Sequence, residues 1–149
     1  MPDWQAAQKK AALTAKWAVT MTKVRIRKTI ARTRWQLVTF TGSKGVESVG
    51  IVDMIAIRKD HAKRKNCLRR GDLFEIVLIQ VKGGGAPFPS EDEVARLRHV
   101  AESHDAKAVL PARWQKGKQA FFCKLHTLPG GSRPAHAWQP IDSPADIFH

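Results

Sequence analysis

The fold is decided by residues 73–94, LFEIVLIQVKGGGAPFPSEDEV. The first part, 73–82, is almost continuously apolar until it reaches Gln80 and Lys82. An uninterrupted apolar run of this length is typical of a central strand that is buried on both faces. The glycines and prolines of 83–89 then predict a loop.

A helix is predicted directly after this loop. Ser90 is followed three residues later by Glu93, which is the spacing of a capping box. The segment 91–104 continues with a helical period that places Val94 and Leu97 on one face. We therefore expect a capped helix that covers the sheet.

Further strands are predicted on both sides of this unit, because β-branched and aromatic residues alternate with turn signals. The predicted segments are 34–40, 47–59, 106–114 and 119–125. The stretch from Asp60 to Arg70 is basic and predicts a loop or hairpin tip.

The N-terminal segment predicts a long helix. Residues 4–22 contain neither glycine nor proline, and we expect the helix to fray between Arg27 and Arg32. An apolar stripe with helical spacing indicates the face that packs on the core; it consists of Leu13, Trp17, Met21 and Val24.

The resulting order is helix, three strands, helix and two strands, which predicts an α/β sandwich with a central mixed sheet flanked by helices. Residues 1–127 form the predicted core domain, N-terminal basic helix included. The tail 128–149 contains four prolines and predicts an irregular segment.

Charge points to a polyanionic partner. The chain has 26 Lys and Arg against 13 Asp and Glu, a net charge of +13. Much of the excess is concentrated in residues 1–34 and 58–70, which favours nucleic acid over a merely solubilising surface. The candidate contacts to nucleic acid are Lys9, Lys16, Arg25, Arg27, Lys63, Arg64, Lys65, Arg96, Lys116 and Lys118.

Several other classes lack support in the sequence. Cys67 and Cys123 are isolated, and the histidines show no zinc-binding spacing. No apolar run is long enough for a membrane span, and the N-terminus lacks the apolar core of a signal peptide. We expect a cytoplasmic protein that does not bind membranes.

Three polar residues interrupt the apolar strands. Asp53 lies in GIVDMIAI, and Gln80 and Lys82 lie in LIQVK. A charged group is costly to bury without a partner, so we expect the two strands to be neighbours that pair Asp53 with Lys82. The strand period of two places Gln80 and Lys82 on the same face.

This set of groups suits metal-assisted phosphodiester hydrolysis. Mg²⁺ prefers oxygen ligands and keeps several waters, and Mn²⁺ is a possible substitute. Asp53 and Gln80 would supply oxygens to the metal. Lys82 would orient the attacking water and neutralise charge in the transition state. The alternative is that Asp53 and Lys82 form a purely structural buried ion pair.

The pattern resembles the PD-(D/E)xK nuclease superfamily, which has the restriction-endonuclease-like fold. Asp53 matches the aspartate of the motif, Gln80 the acidic position and Lys82 the lysine. Glutamine at the acidic position is similar to the QxK variant of Mrr-type endonucleases, and it removes one negative charge. The resemblance implies a Mg²⁺-dependent catalytic centre formed by these three residues.

Some members of that superfamily use one more acid. Glu47 is the candidate here, because it shares strand parity with Asp53, and we include it among the possible metal ligands. Glu75 has the opposite parity to Gln80, so we expect it to face away.

Two classes of function therefore stay open. The first is an endonuclease that cuts branched or junction DNA rather than a specific sequence, acting as a homodimer, as the similarity to archaeal-type Holliday-junction resolvases implies. The second is a basic nucleic-acid-binding protein on the same fold whose catalytic site is inactive. A third, weaker reading is a small basic protein that binds RNA or the ribosome.

Overall fold

The computed structural model describes residues 3–40, 50–84, 89–125 and 138–149. Within these residues the protein is a mixed α/β structure with two α-helices and one six-stranded mixed sheet. The elements are α1 (Trp4–Ile30), β1 (Gln36–Thr39), β2 (Met54–Lys59), β3 (Phe74–Gly83), α2 (Glu91–Ser103), β4 (Ala108–Trp114), β5 (Phe121–Leu125) and β6 (Trp138–Ile141).

The strands lie in the sheet in the order in which they occur in the chain. Every neighbouring pair is antiparallel except β3 and β4, which are parallel. A parallel pair needs a crossover, and α2 provides it. β3 is the longest strand and lies near the middle of the sheet, as its apolar sequence predicts.

The two helices cover opposite faces of the sheet. Val77 and Ile79 of β3 belong to the cluster that includes Ile26 of α1. Leu78, which points the other way, belongs to the cluster that includes Leu97 of α2. Alternation along β3 therefore assigns its odd-numbered residues to the α1 face and its even-numbered residues to the α2 face.

Helix α1 has the predicted extent but not the predicted orientation. Its packed residues are Ala18, Thr22, Ile26 and Ile30, a stripe with a spacing of four. The predicted stripe is exposed instead, with Leu13 at 56% and Trp17 at 50%. The reason is the close approach of β3: a Cβ atom at Gly83 would lie 2.8 Å from the Cβ of Ala18. Only small side chains fit at this crossing, so the bulky stripe faces away.

The C-terminal segment is more ordered than its prolines suggest. β6 pairs with β5, and a short 3-10 turn follows at Pro144–Asp146. Ile147 and Phe148 are buried in the α1-side core, and the Phe148 ring makes an edge-to-face contact with Trp35 at 5.4 Å. The expectation of an irregular tail is thus wrong for residues 138–149, because apolar residues at the very end of the chain bury this segment.

None of the helices in the described residues is long and apolar enough to cross a membrane.

Replacing Phe148 by alanine tests the role of the C-terminal segment. We expect Phe148→Ala to lower the free energy of unfolding by about 3–5 kcal/mol, because the ring is 3% exposed and its removal leaves a cavity. Phe121→Ala is the matched control, since that ring is 45% exposed and its loss should cost less than about 1 kcal/mol. Urea denaturation measures both; equal effects of the two substitutions would show that residues 138–149 do not belong to the core.

The two cysteines should differ in reactivity. Cys123 is buried in β5, and burial raises the pKa of its thiol to about 11. At pH 8 only about one Cys123 thiol in a thousand would be ionised, whereas Cys67 is exposed. A thiol reagent should therefore modify one cysteine in the native protein and two in denaturant. Rapid modification of both in the native state would contradict the placement of β5.

Candidate active site

Asp53 lies where β2 leaves the sheet. Its backbone N–H donates to the carbonyl of Ile79 at 3.0 Å, and its own carbonyl accepts from Phe40 at 3.4 Å. β3 continues beyond this point, so the Val81 N–H has no backbone acceptor on β2. The Asp53 side chain supplies the acceptor instead, and its Oδ2 lies 2.6 Å from the Val81 nitrogen. This hydrogen bond fixes one carboxylate oxygen of Asp53 against β3.

Gln80 lies just beyond the part of β3 that pairs with β2. Met54 pairs with Ile79, and the Asp53 N–H also donates to the Ile79 carbonyl. Gln80 and Lys82 share the α2 face, since both contact Glu93 of that helix. Asp53 reaches the same end of β3 through its hydrogen bond to Val81.

Helix α2 adds a carboxylate to this group. Oε2 of Glu93 lies 3.1 Å from Nζ of Lys82 and 3.3 Å from Nε2 of Gln80. The sequence predicted that Lys82 pairs with Asp53, and the structure gives Lys82 an ion pair with Glu93. This contact arises because α2 begins directly over the end of β3.

The charge of Glu93 is favoured by its surroundings. The hydrogen bond from Lys82 is the main reason that the pKa of Glu93 lies below its ordinary value. Partial burial opposes this shift, whereas the positive charge of Lys82 and hydrogen bonds from Gln80 and from the Ser90 backbone add to it. The Ser90 hydroxyl in turn accepts from the Glu93 N–H at 3.3 Å, so the predicted capping box is present.

Gln80 contains an unsatisfied oxygen. The side chain is 5% exposed, and its Nε2 donates to Glu93, but its Oε1 is buried without a hydrogen-bond partner. Such a group costs about 1–3 kcal/mol, so buried polar atoms are rarely left unpaired. An orphaned amide oxygen on a side chain that contacts the Glu93 carboxylate is the feature of this site that suits a hard cation.

The set of donors fits Mg²⁺ better than a softer metal. The described part of the chain contains no group of three or more His, Cys, Asp or Glu side chains that could hold a metal ion. Asp53, Glu93 and the Gln80 amide supply oxygens alone. Mg²⁺ takes one or two carboxylates and keeps the rest of its shell for water and phosphate.

Other predicted residues lie elsewhere. Glu47 falls outside the described residues. Glu75 faces the opposite side of β3 from Gln80, as predicted, and forms ion pairs with Arg58 and Lys107. It lies seven residues before Lys82 on β3, which is roughly 23 Å along an extended strand.

The predicted nucleic-acid contacts divide between the two ends of the sheet. Lys116 and Lys118 are exposed in the turn between β4 and β5, next to the carboxyl end of β3. Lys63 and Lys65 are exposed in the loop after β2, at the opposite end, where Arg64 forms an ion pair with Asp60. The remaining positions lie on helices: Lys9, Lys16, Arg25 and Arg27 on α1, and Arg96 on α2.

An open cleft lies between α1 and the end of β3. Its volume is about 690 Å³, and Lys10 and Lys82 line it together with small residues of α1 and with Gly83 and Gly84. Lys82 thus borders both this cleft and Glu93. A second cation stands beside it, because Arg113 of β4 is the register partner of Lys82.

Comparison with protein-family models, curated proteins and solved structures finds no match to the chain.

Two residues of the site were not identified from the sequence. Glu93 was interpreted only as a helix cap, although it lies four residues before the buried Leu97 and so borders the face that packs on the sheet. That spacing is a signal that could have revealed it. Arg113 depends on the parallel register of β3 and β4, for which the sequence carries no comparable signal.

Removing the orphaned oxygen should not weaken the fold. We expect Gln80→Met, in metal-free buffer, to leave the free energy of unfolding unchanged or to raise it by about 1–2 kcal/mol, because the buried unpaired oxygen disappears. Thr22→Val provides a calibration, since Thr22 also has a buried, unpartnered hydroxyl, on α1. A loss of more than about 2 kcal/mol in Gln80→Met, measured by urea denaturation, would mean that Gln80 is retained for stability.

Proposed function

We propose that the protein is a divalent-metal-dependent endonuclease that hydrolyses phosphodiester bonds in DNA. The observation that carries the proposal is that Gln80 and Lys82 share one face at the end of β3 to which Asp53 is hydrogen-bonded, with a buried amide oxygen left without a partner.

The fold proposed for this activity is the restriction-endonuclease-like fold of the PD-(D/E)xK superfamily. The order α1, β1, β2, β3, α2, β4, with β3 and β4 parallel, agrees with the core order of that superfamily. In this proposal Asp53 corresponds to the aspartate of that superfamily, and Gln80 and Lys82, on the adjacent strand, correspond to its second acid and its lysine. β5 and β6 extend the sheet beyond β4.

In the proposed reaction water attacks the phosphorus atom, the bond to the leaving oxygen breaks, and that oxygen takes up a proton. Asp53 and Gln80 would hold the metal, which supplies positive charge and Lewis acidity to the phosphate. The ammonium of Lys82 would stabilise the negative charge that grows on the phosphate oxygens. Its contact with Glu93 holds it at the edge of the cleft.

DNA is the proposed substrate because of charge and shape. The net charge of +13 favours a polyanion, and the cleft beside Lys82 is lined by Lys10 and by small side chains that let a phosphate backbone approach closely. Exposed Lys116 and Lys118 lie at the same end of the sheet. Branched DNA is among the proposed substrates. A homodimer would present two sites to a junction, and this assembly stays a prediction.

Cleavage of DNA tests the proposal. Supercoiled, linear and four-way-junction DNA are incubated with the protein in Mg²⁺, Mn²⁺ or EDTA. We expect cutting that requires metal and that falls at least about 100-fold in Lys82→Met, because one charge-stabilising group is lost. Lys124→Met is the matched control, since Lys124 is exposed on β5 and should retain full activity.

Binding measured on the same DNA separates the two classes of function. Cutting that survives in EDTA, or that is equal in Lys82→Met and the control, contradicts the proposed mechanism. Salt-dependent binding without cutting under any metal would instead identify a basic nucleic-acid-binding protein.

A further inference from the structure

Holding Lys82 in place does not account for every contact of the Glu93 carboxylate. It is the third residue of α2, its side chain is 37% exposed, and its Oε2 contacts Lys82 and Gln80 at once. An ion pair this accessible to water contributes little to stability, typically about 0–1 kcal/mol. The helix cap is also complete without a contact to β3, because the Ser90 hydroxyl accepts from the Glu93 N–H. Neither role requires the Glu93 carboxylate to reach Gln80.

We propose that Glu93 is the second carboxylate of a divalent-cation site whose other protein oxygens come from Asp53 and Gln80. This inference rests on the proposed function and names a ligand that the matched motif does not contain.

Charge balance supports this assignment. Gln80 stands where an acid would bring a second negative charge to the metal, and it is neutral. With Asp53 alone, the positive charges of Lys82 and of its register partner Arg113 would exceed the site's negative charge and would repel a cation. Glu93 restores the missing charge from the helix that covers the same strand.

The hydrogen bond between Gln80 and Glu93 also orients the amide. Because Nε2 donates to Glu93, the amide oxygen is turned away from that contact, and this is the oxygen that is buried without a partner. Glu93 therefore has two effects in the site: it adds charge, and it fixes Gln80 so that an oxygen rather than an amino group is available to a cation.

Mn²⁺ binding in the absence of DNA tests the inference, with the loss of the free Mn²⁺ signal in electron paramagnetic resonance as the readout. We expect Glu93→Gln to weaken Mn²⁺ binding about 10-fold or more, and Asp53→Asn to do the same. Glu102→Gln is the control, because it removes one charge from the exposed far end of the same helix and should leave the binding unchanged.

A double variant shows whether the carboxylate itself matters. In Gln80→Glu/Glu93→Gln the carboxylate moves from the helix to the strand, with the same total charge as in the natural chain. We expect this exchange to restore most of the Mn²⁺ binding lost in Glu93→Gln. Circular dichroism and thermal unfolding of each variant show that the fold is intact, so that failure to bind is not failure to fold.

The outcomes separate the two proposals. If Asp53→Asn abolishes binding while Glu93→Gln retains it, or if the exchange restores nothing, Glu93 is not a ligand and the inference is overturned, although the nuclease proposal stands. If the natural chain does not bind Mn²⁺ and does not cut DNA in its presence, both proposals are overturned.

Discussion

The hydrogen bond from the Val81 N–H to the Asp53 carboxylate, at 2.6 Å, determines how the end of the sheet is built. β3 continues past the end of β2, and a buried strand cannot leave its N–H groups without acceptors. The Asp53 side chain supplies the missing acceptor and so places a carboxylate at the end of β3. The same protruding end of β3 carries Lys82 and meets both the start of α2 and the middle of α1.

The elements of the fold could largely be predicted from the sequence. The apolar run before Gln80 and the cap at Ser90 are local signals, and each corresponds to an element of the structure. The face of α1 could not be predicted in this way. Leu13 and Trp17 have the spacing of a buried stripe, but the close approach of Gly83 to Ala18 leaves no room for them. Such steric exclusion depends on a crossing that pattern analysis does not describe.

The C-terminal segment is a second part of the fold that sequence patterns do not predict. Prolines at 140 and 144 are poor predictors of a strand, yet β6 lies at the edge of the sheet, where a missing N–H is tolerated. Phe148 contributes to the core because Trp35 offers it an edge-to-face contact. Neither fact follows from the local composition, which describes only the turn-forming tendency of the segment.

The residues of the candidate site also differ in how well the sequence predicts them. Asp53, Gln80 and Lys82 could be selected from the sequence because polar residues in apolar strands are costly and therefore informative. Glu93 is less evident in the sequence, since its place in a capping box is a sufficient local reason for it and only its spacing from Leu97 indicates more. Its contacts with Lys82 and Gln80 connect the cap to the site, and on this account the two carboxylates and the Gln80 oxygen form one centre.

Anomalous diffraction from a crystal soaked in MnCl₂ tests this centre most directly, because it locates the cation without reference to activity. The account predicts one strong peak within coordination distance of Asp53, Gln80 Oε1 and Glu93. A fully occupied peak elsewhere, or none at this end of the sheet in a crystal that retains the fold, would contradict it.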